Sequence, residues 1–305
     1  MEYGDKHILV LGAGASGIGA SWVLAQVGAH VVLNDYKPVT LPADEEKRLV
    51  SAGVDIITGR QDESLLDGVD RIVISPGISL DIPIVKAAQA RGIDVVSEVE
   101  LAYEVSKSPI VAVTGTNGKT TTTTLLTKVL EGSGKPVRVG GNIGDSLSEV
   151  AYSMPVGGFL VAELSSYQLE TIKHFRPIGA IMLNITPDHL ARHKTMENYI
   201  AAKERIFENQ LKSDYLVLNI DDSVVADMEH RAPSHILQIS QKQTVENGAY
   251  YANGQCYVVK NGVATAVIGD EDIHIPGSHN IENILTVIAL TYALGVPVVE
   301  IHRII

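Results

Sequence analysis

The sequence predicts an α/β protein made of two successive parallel-sheet domains. Three observations carry this. Short apolar runs alternate with helix-like segments along the first hundred residues. A polar break, Ser106-Lys107-Ser108-Pro109, then interrupts the series, and a second one begins at Ile110. Each series opens on an apolar run that leads into a glycine-rich loop and a helical stretch.

In the first series, Ile8–Leu11, Val31–Leu33, Asp55–Ile57, Arg71–Ile74 and Asp94–Val96 are near-continuous apolar runs, as expected of strands covered on both faces. Gly17–Val27, Asp44–Ala52 and Ile82–Arg91 between them are expected helices. The boundary near 105–109 gives domains of 1–106 and 107–305. In the second series, Ile110–Val113, Phe159–Ala162, Ala180–Leu183 and Tyr215–Leu218 are expected strands, and Thr122–Leu130 an expected helix. Tyr250–Ile268 differs. Its Tyr and Val residues, with Asn253-Gly254 and Asn261-Gly262, predict antiparallel hairpins. The uncharged run Ile284–Val299 is too short to span a membrane and is expected as a core helix ending near Gly295-Val296-Pro297.

Composition narrows the function. With 45% apolar and 20% charged residues, the chain is globular rather than disordered. A net charge of −12 argues against a nucleic-acid-binding surface. The single cysteine, Cys256, excludes an intramolecular disulfide framework and a cysteine-rich metal cluster. Met1 to Asp5 is polar and Gly12 and Gly14 break the apolar stretch that follows, so no secretory signal is expected. No membrane partner is expected.

Gly12-Ala13-Gly14-Ala15-Ser16-Gly17 satisfies G-x-G-x-x-G between a strand and a helix, the arrangement of a Rossmann-like domain. Glycines there let backbone N–H groups approach a pyrophosphate at the helix N-terminus. Asp35 ends the next strand near the spacing of an acidic ribose ligand. NAD is the default ligand of such a loop, and a tight packing turn is the bland alternative.

Thr114-Gly115-Thr116-Asn117-Gly118-Lys119-Thr120-Thr121 follows the strand at Ile110–Val113. Gly118-Lys119-Thr120 supplies a P-loop core: amides for phosphate oxygens, an ammonium for β/γ charge and a hydroxyl for Mg²⁺. The loop is shorter than the usual form, since Gly115 and Gly118 are only three apart. The threonines after it are poor helix formers, so local propensity is overridden there.

These residues resemble the Mur ligases, ATP-dependent amide-bond-forming enzymes of peptidoglycan precursor synthesis. Further segments match in chain order: Gly140–Gly144, Glu163–Glu170, Asn184–Leu190, Ala201-Ala202-Lys203, Asn219–Asp222 and Gly277–Asn283. The resemblance spans essentially the whole chain. Gly140–Gly144, Glu163–Glu170, Asn117 and Ser75–Ser79 look most like the family member that adds D-glutamate to UDP-N-acetylmuramoyl-L-alanine.

The resemblance implies that the N-terminal domain binds the UDP part of the substrate, with Ala15 and Ser16 beside the diphosphate and Asp35 at the uracil. It implies ATP at Gly115, Thr116, Asn117, Gly118, Lys119, Thr120 and Thr121, with Asn283 on the adenine side and His279 and Asn280 as supports. Two Mg²⁺ ions are implied, one on Thr120 and a second held by Glu163, His189 and a CO₂-derived carbamate on Lys203. Asn142, Ser165 and Gln168 look like contacts to the muramoyl-alanyl part. Lys119, Glu163, His189 and Lys203 form the implied catalytic set. From the residues alone, Lys203 is an ordinary helical surface lysine and Asn283 a helix cap.

Two departures stand out. The family motif usually continues Asp-His-Leu-Asp, whereas Ala191 follows Leu190 here. The matched segments end where a third, amino-acid-binding domain would begin, so the 305-residue chain by itself is expected not to complete ligation. Two other readings stay open at this level. One is an NAD-dependent oxidoreductase built on Gly12–Gly17 and Asp35, which leaves residues 114–121 unexplained. The other is a nucleotide-binding module without catalysis.

Overall fold

The computed structural model describes residues 3–273 and 278–305. The chain opens with β1 (His7–Leu11), α1 (Ala15–Gln26), β2 (His30–Asp35), α2 (Ala43–Ser51), β3 (Asp55–Thr58), β4 (Arg71–Ile74), α3 (Pro83–Ala90), β5 (Asp94–Ser97) and α4 (Glu98–Val105). It continues with β6 (Ile110–Thr114), α5 (Lys119–Glu131), β7 (Val137–Gly141), α6 (Leu147–Ser153), β8 (Phe159–Glu163), α7 (Ser166–Leu169), β9 (Gly179–Met182), α8 (Leu190–His193) and α9 (Met196–Glu204). It closes with β10 (Tyr215–Asn219), α10 (Ser223–Asp227), β11 (His235–Ser240), β12 (Gly248–Ala252), β13 (Gln255–Lys260), β14 (Val263–Gly269), α11 (Ser278–Ala293) and α12 (Val298–Ile304).

Two compact units result. The first comprises Met1–Lys107, Gly144–Met154 and Tyr167–Phe175, and the second Ser108–Ile143, Pro155–Ser166 and Arg176–Ile305. In the first unit, five parallel strands lie in the order β3-β2-β1-β4-β5. Apolar residues on its two faces feed separate cores, Ile8, Val10 and Leu33 on one and Leu9, Leu11 and Ile72 on the other. Two buried carboxylates tie in the later segments. Glu98 accepts from Ser146 Oγ (2.5 Å) and Ser148 N (2.8 Å) at the start of α6. Glu100 accepts from the backbone N–H groups of Lys173, His174 and Phe175 at 2.7–3.1 Å. Each carboxylate satisfies amide donors that would otherwise be buried unpaired.

The second unit holds nine strands in the order β14-β13-β12-β11-β10-β9-β6-β8-β7. Pairing is parallel from β7 to β12 and antiparallel through β13 and β14. Both hairpins turn on two residues with positive φ: Asn253 (53°) and Gly254 (77°), then Asn261 (52°) and Gly262 (75°). That is the type I′ geometry the Asn-Gly pairs predict. Val111, Val113, Leu126, Leu130, Ile284 and Ile288 join one core that unites the sheet with α5 and α11. Among the described residues, no helix is long and apolar enough to cross a membrane.

Candidate functional site

Each unit carries a glycine-rich loop at the carboxyl end of the strand where its sheet order reverses. In the first unit that strand is β1, flanked by β2 and β4. Ligands bind open α/β sheets at such crevices. A Cβ on Gly17 would lie 1.8 Å from Gly12 O, so the turn into α1 admits only glycine there. Ala15 and Ser16 form the first turn of α1, whose N-terminus has no side-chain cap and no acidic residue. Its free amides suit an anion. Asp35 is engaged by the chain itself: Oδ2 accepts from Ala13 N and Oδ1 from Lys37 N, both at 3.0 Å. A cleft of about 520 Å³ beside it is lined by Asp35, Tyr36, Gln61, Ile78 and Pro83. Gln168 is buried in the same unit.

In the second unit the reversal falls at β6, between β8 and β9. Gly115, Thr116, Asn117 and Gly118 form the loop, and Lys119, Thr120 and Thr121 the first turn of α5. Gly118 is left-handed (φ +84°), and a Cβ on it would lie 2.7 Å from Asn283 Oδ1. That contact brings Asn283 of α11 against the loop, where its Nδ2 also donates to Asn280 Oδ1 at 3.3 Å. Gly277 and the side chains of Ser278 and His279 lie outside the described residues. The start of α5 has neither side-chain cap nor first-turn acid. Thr120 is exposed there, with its hydroxyl available to a cation.

Lys119 Nζ donates to Gly115 O (3.0 Å) and Thr116 O (2.9 Å). Burial lowers its pKa, against the opposing charges of Glu163 and Asp188. Lys203 is 1% exposed, not a surface lysine. Its Nζ donates to Gly115 O (2.8 Å) and Thr114 Oγ1 (3.3 Å). Burial first, then the Lys119 charge, pull its pKa down to about 7, with Asp188 opposing. Two lysine nitrogens thus converge on Gly115 O beneath the loop.

Glu163 ends β8 and is buried. Its Oε1 accepts from Asn142 Nδ2 at 2.9 Å, whereas Oε2 is buried without a hydrogen-bond partner. An unsatisfied buried carboxylate oxygen is costly and fits a cation as its missing partner. No three His, Cys, Asp or Glu side chains converge as a metal cage among the described residues. The donor set therefore suits Mg²⁺ held partly by phosphate oxygens and water. His189 is 44% exposed and adopts a left-handed backbone (φ 53°), a strain of about 1 kcal/mol or more for a non-glycine residue. Its ring packs edge-on to Tyr199, with centroids 6.3 Å apart. Ser165 lies in the partly buried turn that follows Glu163.

Several residues complete the site without having been singled out from sequence. Tyr199 OH shares a 3.0 Å hydrogen bond with Thr116 Oγ1, and the Lys203 ammonium lies 5.1 Å from its ring centroid. Asn184 clamps the loop by accepting from Asn117 N (2.8 Å) and donating to Asn117 O (3.1 Å). Ser166 Oγ pairs with His193 Nε2 at 2.9 Å. Asp188 and Asn184 both lie in the matched 184–190 segment, whereas the Tyr199 contacts depend on α9 folding back to the loop.

The model of the Mur ligase middle domain matches residues 113–291, more than half the chain. The model of the Mur ligase MurD-like N-terminal domain matches residues 6–97, taking in the whole Gly12–Gly17 loop. The oxidoreductase reading is therefore not favoured. A UDP-N-acetylmuramoylalanine–D-glutamate ligase of Thermoanaerobacter pseudethanolicus is 45% identical over 97% of this chain and 65% of its own length. One from Pelotomaculum thermopropionicum is 42% identical over 97% and 65%. The chain thus spans about two thirds of the length of these relatives. Among solved structures, a UDP-N-acetylmuramate:L-alanyl-gamma-D-glutamyl-meso-diaminopimelate ligase from Neisseria meningitides has a TM-score of 0.64 at 23% identity, covering 98% of this chain and 97% of that one. A murein peptide ligase from Psychrobacter arcticus has 0.61 at 20%, covering 98% and 67%. At those identities the likeness is one of fold.

Proposed function

Because the chain belongs to the Mur ligase family, we propose that it serves the ATP-dependent addition of D-glutamate to UDP-N-acetylmuramoyl-L-alanine, in the cytoplasm and as a monomer. Residues 1–106 hold the uridine diphosphate, with Ala15 and Ser16 at the phosphates and Asp35 at the base. Residues 107–305 hold ATP and run the chemistry. The observation that carries this reading is the convergence of Lys119 and Lys203 on Gly115 O.

A carboxylate is a poor acylating agent because its oxygen leaves badly. In the proposed reaction an alanyl carboxylate oxygen attacks the γ-phosphorus of ATP, the bond to the β,γ-bridging oxygen breaks, and ADP leaves. The amine of D-glutamate then attacks the acyl carbon, phosphate departs and the amine loses its proton. Both steps bring anions together, so cationic charge must be in place first. The Lys119 ammonium and the N-terminal amides of α5 hold the phosphates. Asn283 packs on Gly118 at the adenine side. Asn142, Ser165 and Gln168 orient the muramoyl-alanyl part, with Asn142 also fixing Glu163. Thr120, Glu163, His189 and a carbamylated Lys203 would hold two Mg²⁺ ions, which when bound neutralise charge between the γ-phosphate and the acyl oxygen. With its pKa pulled down to about 7 by burial and by Lys119, Lys203 carries a far larger neutral fraction near neutral pH than an ordinary lysine. Only the neutral amine captures CO₂.

Calorimetric titration of the chain with UDP-N-acetylmuramoyl-L-alanine, Mg·ATP and NAD tests the reading. The first two are expected to bind saturably and NAD is not. Borohydride trapping of an acyl phosphate separates catalysis from mere nucleotide binding. NAD binding without UDP-substrate binding would defeat the proposal.

A further inference from the structure

We propose that the second unit carries a separate binding site for an aromatic carboxylate, at the end of its sheet opposite the phosphate loop. The loop follows the carboxyl end of β6, and β9, β10 and β11 run parallel to β6. Tyr215 and His235 are the first residues of β10 and β11, so the cavity they line, about 410 Å³, opens at the other end. The C-terminal part of α11 closes it through Ala289, Tyr292 and Ala293. Tyr292 stands nine residues, about 14 Å of helix, beyond the loop-contacting Asn283.

The chemistry of the lining selects the ligand. Leu237, Val258 and Val296 supply a buried apolar floor. Tyr215 and His235 meet edge-on, with centroids 5.8 Å apart and planes at 87°, which makes a preformed corner for a flat ring. Tyr292 adds a third ring. The chain has 36 acidic residues against 24 basic ones, yet no carboxylate lines this cavity. Lys260 stands at its rim, and among the described residues no ion pair or hydrogen bond engages its ammonium. A ring-lined cavity with an apolar floor, polar edges at Asn247 and Asn261 and a cation at its mouth suits a planar aromatic body bearing one negative charge. The assignment is independent of the ligase reading, since it uses none of the phosphate-loop residues.

Indole-3-acetate serves as the probe, followed by protein-observed NMR on the chain with and without Mg·ATP. Saturable binding is expected, with shifts at Tyr215, His235 and Tyr292 that Mg·ATP does not displace. Lys260→Gln should weaken indole-3-acetate roughly fivefold and leave the neutral indole-3-acetamide unchanged. Ala293→Phe, which pushes a ring into the cavity, should weaken both on the order of tenfold or more. Melting temperatures report whether each variant is folded, and the surface substitution Lys260→Gln suffices should Ala293→Phe not fold. The proposal is overturned by no saturable binding at millimolar probe, by displacement with Mg·ATP, or by a Lys260→Gln affinity equal to that of the wild type.

Discussion

The ammonium of Lys203 donates to the carbonyl oxygen of Gly115 at 2.8 Å, from a side chain that is 1% exposed. A lysine on α9 is thereby fastened to the first glycine of the phosphate loop. Burial and Lys119 bring its pKa from 10.5 to about 7. Between those values the unfolded chain binds more protons than the folded one, so this group makes stability rise with pH across the window. Its penalty is full below pH 7 and gone above the unfolded value. Lys203→Met should therefore flatten the rise in urea midpoint from about pH 7 to about pH 10, relative to the wild type. Parallel profiles would show that the lysine is not buried as described.

Gly118 adopts φ +84°, and a Cβ added there would lie 2.7 Å from Asn283 Oδ1. In Gly118→Ala the left-handed backbone alone costs about 1–2 kcal/mol, and the added methyl pushes on Asn283. The expected outcome is a small drop in melting temperature and a loss of Mg·ATP affinity on the order of tenfold. Unchanged affinity by calorimetry would detach this contact from nucleotide binding.

Much of this was legible in the sequence because it is local. The apolar runs Ile8–Leu11 and Ile110–Val113 became strands, the glycine loops fell at the two switch points, and the Asn-Gly pairs made the hairpins. What escaped was non-local. β7 has Arg138 and two glycines and lies at a sheet edge, so its pattern reads weakly as a strand. Residues 144–154 and 167–175 follow the boundary in sequence but pack with the first unit through Glu98 and Glu100. Lys203 beside Glu204 and Arg205 looks like a surface lysine. Only the return of α9 to Gly115 buries it. Nothing in the structure explains why alanine stands at 191.

Glu163 presents one carboxylate oxygen to Asn142 and leaves the other, Oε2, without a partner. Glu163→Gln keeps a carbonyl for Asn142 but removes the charge that a cation would meet. Isothermal titrations of ATP should then show a reduced gain in affinity from added Mg²⁺, with the Mg²⁺-free affinity little changed. An undiminished Mg²⁺ effect would place the cation elsewhere.

Cys256 lies fully inside the second unit, and burial pushes its thiol up to about 12. A thiolate is scarce there at neutral pH. Ellman's reagent should label it only after unfolding, at the rate of global opening. Rapid labelling of the native chain would contradict the packing of α11 on β13.

The most direct measurement is Mg·ATP binding to the wild-type chain and to Lys119→Ala. Calorimetry is expected to give one saturable site in the wild type and an affinity weakened on the order of tenfold or more in the variant, with melting temperatures alike. Equal affinities would mean that this lysine does not hold nucleotide phosphates, and the account of the site would fall with it.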